Sequence, residues 1–160
     1  MISLKIPDYD IKTTCSFTGH RILKKEFTLE DLSLVIDNAI NKGYKTFLVG
    51  MARGFDLKCV KVLAEKKQAG KKIEIIACMP CKDQNKYFTE KENQEFLEMI
   101  SLTDKQVYLQ ENYDSECMFL RNKYMVDNSS LLIAYYHYQR GGTHSTVTYA
   151  IKQNKEILYI

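Results

Sequence analysis

Short β-rich runs alternate with amphipathic helical stretches along nearly the whole chain, and few architectures accommodate that rhythm. The strand-like runs are TTCSFTG (13–19), KTFLVG (45–50), IEIIACM (73–79), QVYL (106–109), LLIAYY (131–136) and EILYI (156–160). Between them the apolar period changes from two to three and four. In the stretch 28–43, Leu29, Leu32, Ile36, Ala39 and Ile40 share one helical face, with Thr28 suited to cap the start and Gly43 to close the end. The stretch 55–70 repeats the pattern with Leu57, Val60, Leu63 and Ala64 and again closes on a glycine, Gly70. A third helix opens on a capping-box pair, Thr89 and Glu92, and a fourth is expected over 115–127.

Strands separated by helices of this length need crossover connections, and crossovers make neighbouring strands parallel with helices on both faces. The expected fold is therefore α/β and Rossmann-like: a mostly parallel sheet of about six strands, helices on both faces, one domain over 1–160. Residues 1–12 are read as an N-terminal arm, and the polar loop 80–90 as the border of a cleft.

Composition narrows the function classes. Net charge is +3, from 23 basic and 20 acidic residues spread along the chain, so no dense basic block marks a nucleic-acid tail and nucleic acid is an unlikely partner. No apolar run approaches the ~18 residues of a membrane span, and the first ten residues lack a secretory-signal pattern, so a cytoplasmic protein with no membrane partner is expected. The five cysteines are odd in number; Cys15, Cys59 and Cys78 fall in core-like segments, as reduced buried residues do. CMPC (78–81) ends a strand instead of opening a helix, which disfavours a redox dithiol, and zinc would need two more ligands. His20, His137 and His144 lack an acidic cluster, so neither metal nor cofactor is expected.

In an open parallel sheet, ligands bind beyond the carboxyl ends of strands, where unpaired helix N–H groups point outward. Three such turns carry donors. The first supplies Thr18, Gly19, His20 and Arg21; the second Gly50, Met51, Ala52, Arg53, Gly54 and Asp56; the third Gly141, Gly142, Thr143, His144, Ser145 and Thr146. Each glycine can serve a tight turn without a ligand, but three donor-rich turns on one sheet form a phosphate cradle by composition. Asp56 has two readings, a helix N-cap or a carboxylate accepting from ribose hydroxyls or a base. Tyr135, Tyr136 and Tyr138 should partly alternate into the core, leaving one to stack on a base. Neither G-x-G-x-x-G nor G-x-x-x-x-G-K-[ST] occurs at these turns, which disfavours an ordinary dehydrogenase or P-loop kinase.

Taken together, CSFTGHR, GMARGFD and RNKYMVDNSSLLIAYYHYQRGGTHSTVTYA resemble the YpsA-type branch of the SLOG superfamily over about residues 13–160. That superfamily includes the LOG phosphoribohydrolases and DNA-processing protein A, and the resemblance implies a Rossmann-like domain that binds nucleotide-derived ligands. In the LOG pattern, Arg121 and Met125 match the R-x-x-x-M helix, and Ile133, Ala134, Gly141 and Gly142 match the following strand and glycines. The resemblance gives Arg121 a phosphate or sugar role. The pattern's proline falls on Arg140, its strand-preceding aspartate on Ser130, and its last glycine, threonine and catalytic glutamate on His144, Ser145 and Thr148.

Threonine cannot do a carboxylate's work in cleaving an N-glycosidic bond. The expected function is thus to bind a nucleotide-derived small molecule, ADP-ribose-like or cyclic, as a sensor or sequestering protein, with no catalytic residue. The alternatives are a nucleotide N-glycosidase using another carboxylate, with Asp56 and Arg121 as its catalytic residues and Glu116 and Asp127 as other candidates, and a single-stranded DNA binder. Rossmann-like domains of this size often pair, which leaves a homo-oligomer open.

Overall fold

The computed structural model describes residues 10–160; the proposed arm of residues 1–12 lies mostly outside them, and Ile11–Thr13 form one 3-10 turn. The element order is β1 (Thr14–Gly19), α1 (Leu29–Asn41), β2 (Thr46–Val49), α2 (Phe55–Gln68), β3 (Glu74–Cys81), α3 (Glu90–Ser101), β4 (Lys105–Gln110), α4 (Cys117–Asp127), β5 (Leu131–Tyr135), α5 (Gly141–Lys152) and β6 (Glu156–Tyr159). All six strands are parallel, in the order β4-β3-β2-β1-β5-β6. The chain builds outward from β1 to β4, then returns to lay β5 on the other side of β1. The switch point therefore lies between β1 and β5, where a Rossmann-like sheet opens its crevice.

Period-two alternation divides the core between the two faces. Cys15, Phe17, Phe47, Val49, Ile75, Ala77, Met79, Leu131 and Ile133 point to one side, where Leu32 and Ile36 of α1, Val60 and Leu63 of α2, and Phe96 of α3 cover them. On the other side Leu132 and Ala134 pack with Val126 of α4 and Val147 and Ala150 of α5. Leu48, Ile76 and Cys78 pack there with Met125. Both faces being covered explains why the strands read as near-continuous apolar runs.

The helix ends follow their expected chemistry. Thr28 accepts from the Asp31 N–H, Gly43 and Gly70 close their helices at positive φ, and Thr89 and Glu92 form a complete capping box. Strand β3 runs two residues beyond the expected IEIIACM, to Cys81. It accommodates Pro80 because β2 pairs only up to Val49–Ala77, so no neighbour on that side needs the missing N–H.

Candidate functional site

A cavity of about 600 Å³ opens at the carboxyl end of the sheet, over the switch point. Its volume falls in the range of small-molecule sites, about 300–1,000 Å³. The turn after β1 contributes Thr18, Gly19, His20 and Arg21, the turn after β2 contributes Ala52, and the start of α5 contributes Gly141, Gly142 and Thr143. Asp56 and Arg121 complete the set of expected residues that line it.

Arg121 is 2% exposed, so it is not a helix-surface charge. It lies in the buried stripe Cys117, Arg121, Met125 of α4, which carries it under the turn after β2. Its guanidinium donates to the Gly50 carbonyl, to the Cys78 carbonyl (3.3 Å) and, through Nε, to Asn122 Oδ1 (2.7 Å). Nη2 meets the Met118 sulfur, at 3.8 Å, a weak acceptor. A Cβ on Gly50 would come within 2.8 Å of Nη1, so a glycine is needed to seat the arginine.

Asp56 lies in the first turn of α2, whose N-cap is Gly54, so the N-cap reading of Asp56 does not hold. Its Oδ2 accepts from the Ala52 N–H (3.1 Å), whereas Oδ1 is buried without a partner among the described residues. Burial pushes the Asp56 carboxyl up to about 6, against the opposing pull of Arg121, the Ala52 N–H and Arg21.

The glycines of the first two turns serve contact between the turns themselves. A Cβ on Gly19 would collide with the Phe55 ring, and one on Gly54 would collide with the Arg21 backbone, with φ at +87° besides. Phe55 N–H donates to the His20 carbonyl (3.2 Å), which locks the two turns together. Gly19→Ala should therefore destabilise the fold by about 2 kcal/mol through overpacking, lowering the melting temperature by roughly 4–8 °C in a thermal scan.

The third turn is held by His20. Its Nε2 accepts backbone N–H bonds from His137 (2.9 Å) and Tyr138 (3.1 Å), which leaves the proton on Nδ1. Burial, with His137, Lys24 and Arg140 nearby, lowers the His20 pKa. Because the folded value is depressed, these bonds contribute fully above the ordinary histidine pKa, about 6.5, and are lost as pH falls through the folded one. Nitrogen-detected NMR should show an Nδ1–H tautomer at pH 7 and a His20 midpoint below the ordinary histidine value of about 6.5. A midpoint at or above that value would contradict this arrangement.

At the start of α5, Gly141 adopts φ +77°, the left-handed region that glycine favours. Gly142 needs no such freedom, since a Cβ there would meet only Asn122, at 3.6 Å. Arg140, the α5 N-cap, makes no side-chain cap bond, so the first N–H groups of α5 are left for another acceptor.

Several expected residues stand outside this cavity. Gly50 and Gly54 lie behind Arg121 and Arg21. Met51 is fully buried. Arg53 pairs with Glu92 (2.8 Å) over the Phe88 ring. His144 Nδ1 bonds the Tyr136 hydroxyl (2.6 Å), Thr146 Oγ1 donates to its own helix at Gly142 (2.7 Å), and Ser145 and Thr148 are exposed. Glu116 and Asp127 also stand outside it, and Asp127 accepts from the Tyr149 hydroxyl (2.6 Å) at the far end of α4. Of the tyrosines, Tyr135 is buried and Tyr138 lines the cavity, its ring 4.7 Å from that of His20.

Phe17, Ile22, Met118, Asn122 and Arg140 line it as well, and none of them belongs to the three donor-rich turns. The polar loop after β3 borders a smaller adjoining cavity of about 190 Å³. Among the described residues no group of three metal-ligating side chains forms, and no helix is long and apolar enough to cross a membrane.

A parallel sheet ordered 4-3-2-1-5-6 with its main cavity at the switch point defines the class: a Rossmann-like protein whose principal cleft is built by strand-to-helix turns. Residues 20–159 match the model of the YpsA family, described as the YspA SLOG family, and the chain belongs to that family. A curated relative, the uncharacterized SPbeta prophage-derived protein YoqJ of Bacillus subtilis (strain 168), is 27% identical over 139 residues, covering 77% of this chain and 80% of the relative. DNA processing protein A from Helicobacter pylori, studied for its single-stranded DNA binding mode, has a similar structure (TM-score 0.66, 15% identity). The match covers 93% of this chain but 65% of that one, so this chain spans just under two thirds of its length. The structure of TM1055 is also similar (TM-score 0.56, 12% identity, 91% of this chain and 72% of that one). At such identities both structures share the fold alone.

Proposed function

We propose that the switch-point cavity binds a nucleotide-derived small molecule, ADP-ribose-like or a cyclic nucleotide, and that the protein acts as a sensor or sequestering protein without LOG-type cleavage. The observation that carries this reading is Asp56, which lines the cavity and whose buried Oδ1 has no hydrogen-bond partner among the described residues. A buried acceptor left unmade costs about 1–3 kcal/mol, more when charged, and a ligand hydroxyl would satisfy it. Arg21, Arg140 and the uncapped start of α5 supply the positive rim that a phosphate needs. Thr148, at the LOG glutamate position, is exposed on α5 and outside the cavity, which supports holding over cutting. A thermal-shift panel of nucleotides and ADP-ribose derivatives tests the reading. At least one should raise the melting temperature by several degrees at a hundredfold excess over its Kd, a gain of about 2.7 kcal/mol, and a flat response across the panel would refute it.

One observation favours an N-glycosidase: a carboxyl raised to about 6 suits general acid–base work near neutral pH. Chromatography of nucleotides incubated with the protein decides between the two, since release of free base that Asp56→Asn abolishes would establish the enzyme. Single-stranded DNA binding, known for DNA processing protein A, draws support from cations beside an aromatic ring, with Lys24 Nζ 5.1 Å and Arg140 6.0 Å from the Tyr138 centroid. That reading requires oligonucleotide affinity that falls steeply with salt.

A further inference from the structure

We propose that the smaller cavity is a base-binding annex of the main site, taking a planar heterocycle that presents an N–H donor, as the amino edge of adenine does. The inference rests on the nucleotide reading above and identifies the residue that would select the base. At about 190 Å³ the annex is too small for a whole nucleotide, but Arg21, Ala52 and Met118 line both cavities, so one ligand can span the two.

Gln84 supplies the selectivity. Its Nε2 donates to the Met51 carbonyl (2.9 Å), a bond that fixes the amide with nitrogen inward. Met51 adopts φ +63°, a left-handed conformation that a non-glycine residue takes only under constraint. Gln84 Oε1 is left buried with no partner among the described residues, an acceptor waiting for an N–H. The neighbouring carboxylate, unlike Gln84 Oε1, is already partnered. Asp83 already accepts from the Tyr113 N–H (2.9 Å) and faces Lys86 at 3.8 Å.

The walls suit a flat ring. Tyr87 is 80% exposed and Tyr113 53% exposed at the rim, large aromatic faces that stand in water in the free protein. Phe88 lines it too, with Arg53, another lining residue, 4.9 Å from its centroid and tied to Glu92. Stacking between base and aromatic faces tolerates any ring, so discrimination falls to the single orphan acceptor. The arginine-rimmed main cavity would take the sugar and phosphate, and the uncharged base would enter the annex.

Calorimetric titration of the full chain with AMP, N6,N6-dimethyl-AMP and ribose 5-phosphate tests this. Dimethylation removes the N–H donors and should weaken binding tenfold to a hundredfold, roughly the effect of leaving a buried polar partner unpaired. In Gln84→Met the two nucleotides should bind alike, and ribose 5-phosphate should bind wild type and variant equally. If ribose 5-phosphate binds while AMP and its dimethyl analogue are indistinguishable in the wild type, the annex is overturned and the phosphate–sugar site stands. If none of the three binds, the annex is overturned, and the nucleotide reading is decided by the thermal-shift panel. The wild-type comparison suffices even if Gln84→Met folds poorly.

Discussion

Arg121→Met is expected to destabilise the protein by about 3–5 kcal/mol and to abolish ligand binding, the largest single effect in the molecule. Methionine fills much of the volume but donates nothing. The Gly50 and Cys78 carbonyls lose their buried donor, and Asn122 loses the Nε contact. Asp56 loses the strongest of the attractions that oppose its burial, so its carboxyl should rise further. The losses are coupled. Urea denaturation of Arg121→Met, Asp56→Asn and the double variant should show the double to be more stable than the sum of the singles predicts, because the second change removes the charge that the first strands. Strict additivity would mean that the two side chains do not sense each other.

Asp56→Asn is expected to act in opposite directions on stability and on binding. A carboxyl pushed up to about 6 is destabilised in its ionised form. Because the folded pKa lies above the unfolded one, about 3.9, the group's stabilising contribution is fully present below pH ~4 and is lost as pH rises through 6. Asparagine keeps an acceptor for the Ala52 N–H and removes the buried charge, at the cost of the attraction to Arg121 and Arg21. The apo protein should gain about 1–2 kcal/mol at pH 7.5, or roughly 2–8 °C in melting temperature, and should gain nothing near pH 4. Ligand affinity should fall at least tenfold, since with its oxygen held by the Ala52 N–H the amide presents a nitrogen, which cannot accept, in place of Oδ1. A variant more stable when empty but poorer at holding ligand is what a strained binding residue produces.

The alternation of strands and helices was legible because burial of both sheet faces and one helix face leaves a periodic trace in apolar residues. The donor-rich turns were legible for a different reason. Donors and glycines cluster where strands hand over to helices, and the switch-point rule says where such turns meet. The individual roles were harder to see. Gly50, Gly54 and Gly19 carry the same sequence signal whether they face a ligand or a neighbouring side chain, and here Arg121, Arg21 and Phe55 fill their space.

Arg121 could have been assigned to the buried face from the spacing of Cys117, Arg121 and Met125, which puts it between two apolar residues four positions away on either side. Its i+1 neighbour Asn122 follows from the same reasoning. Tyr138 and Arg140 had no periodic signal, because they sit in an irregular turn whose path is set by two hydrogen bonds to His20, more than a hundred residues earlier. Long-range pairing of that kind leaves no trace in local pattern.

The most direct test is a pair of calorimetric titrations with ADP-ribose at pH 7.5, one on the wild-type protein and one on Asp56→Asn, each with a parallel melting curve. A saturable heat in the wild type, weakened at least tenfold in a variant that melts higher when empty, is the result expected of a cavity whose buried carboxylate awaits a ligand hydroxyl. Equal affinity in the two proteins would contradict the role of Asp56, and no binding by either, with no member of the nucleotide panel stabilising the wild type, would contradict the nucleotide site itself.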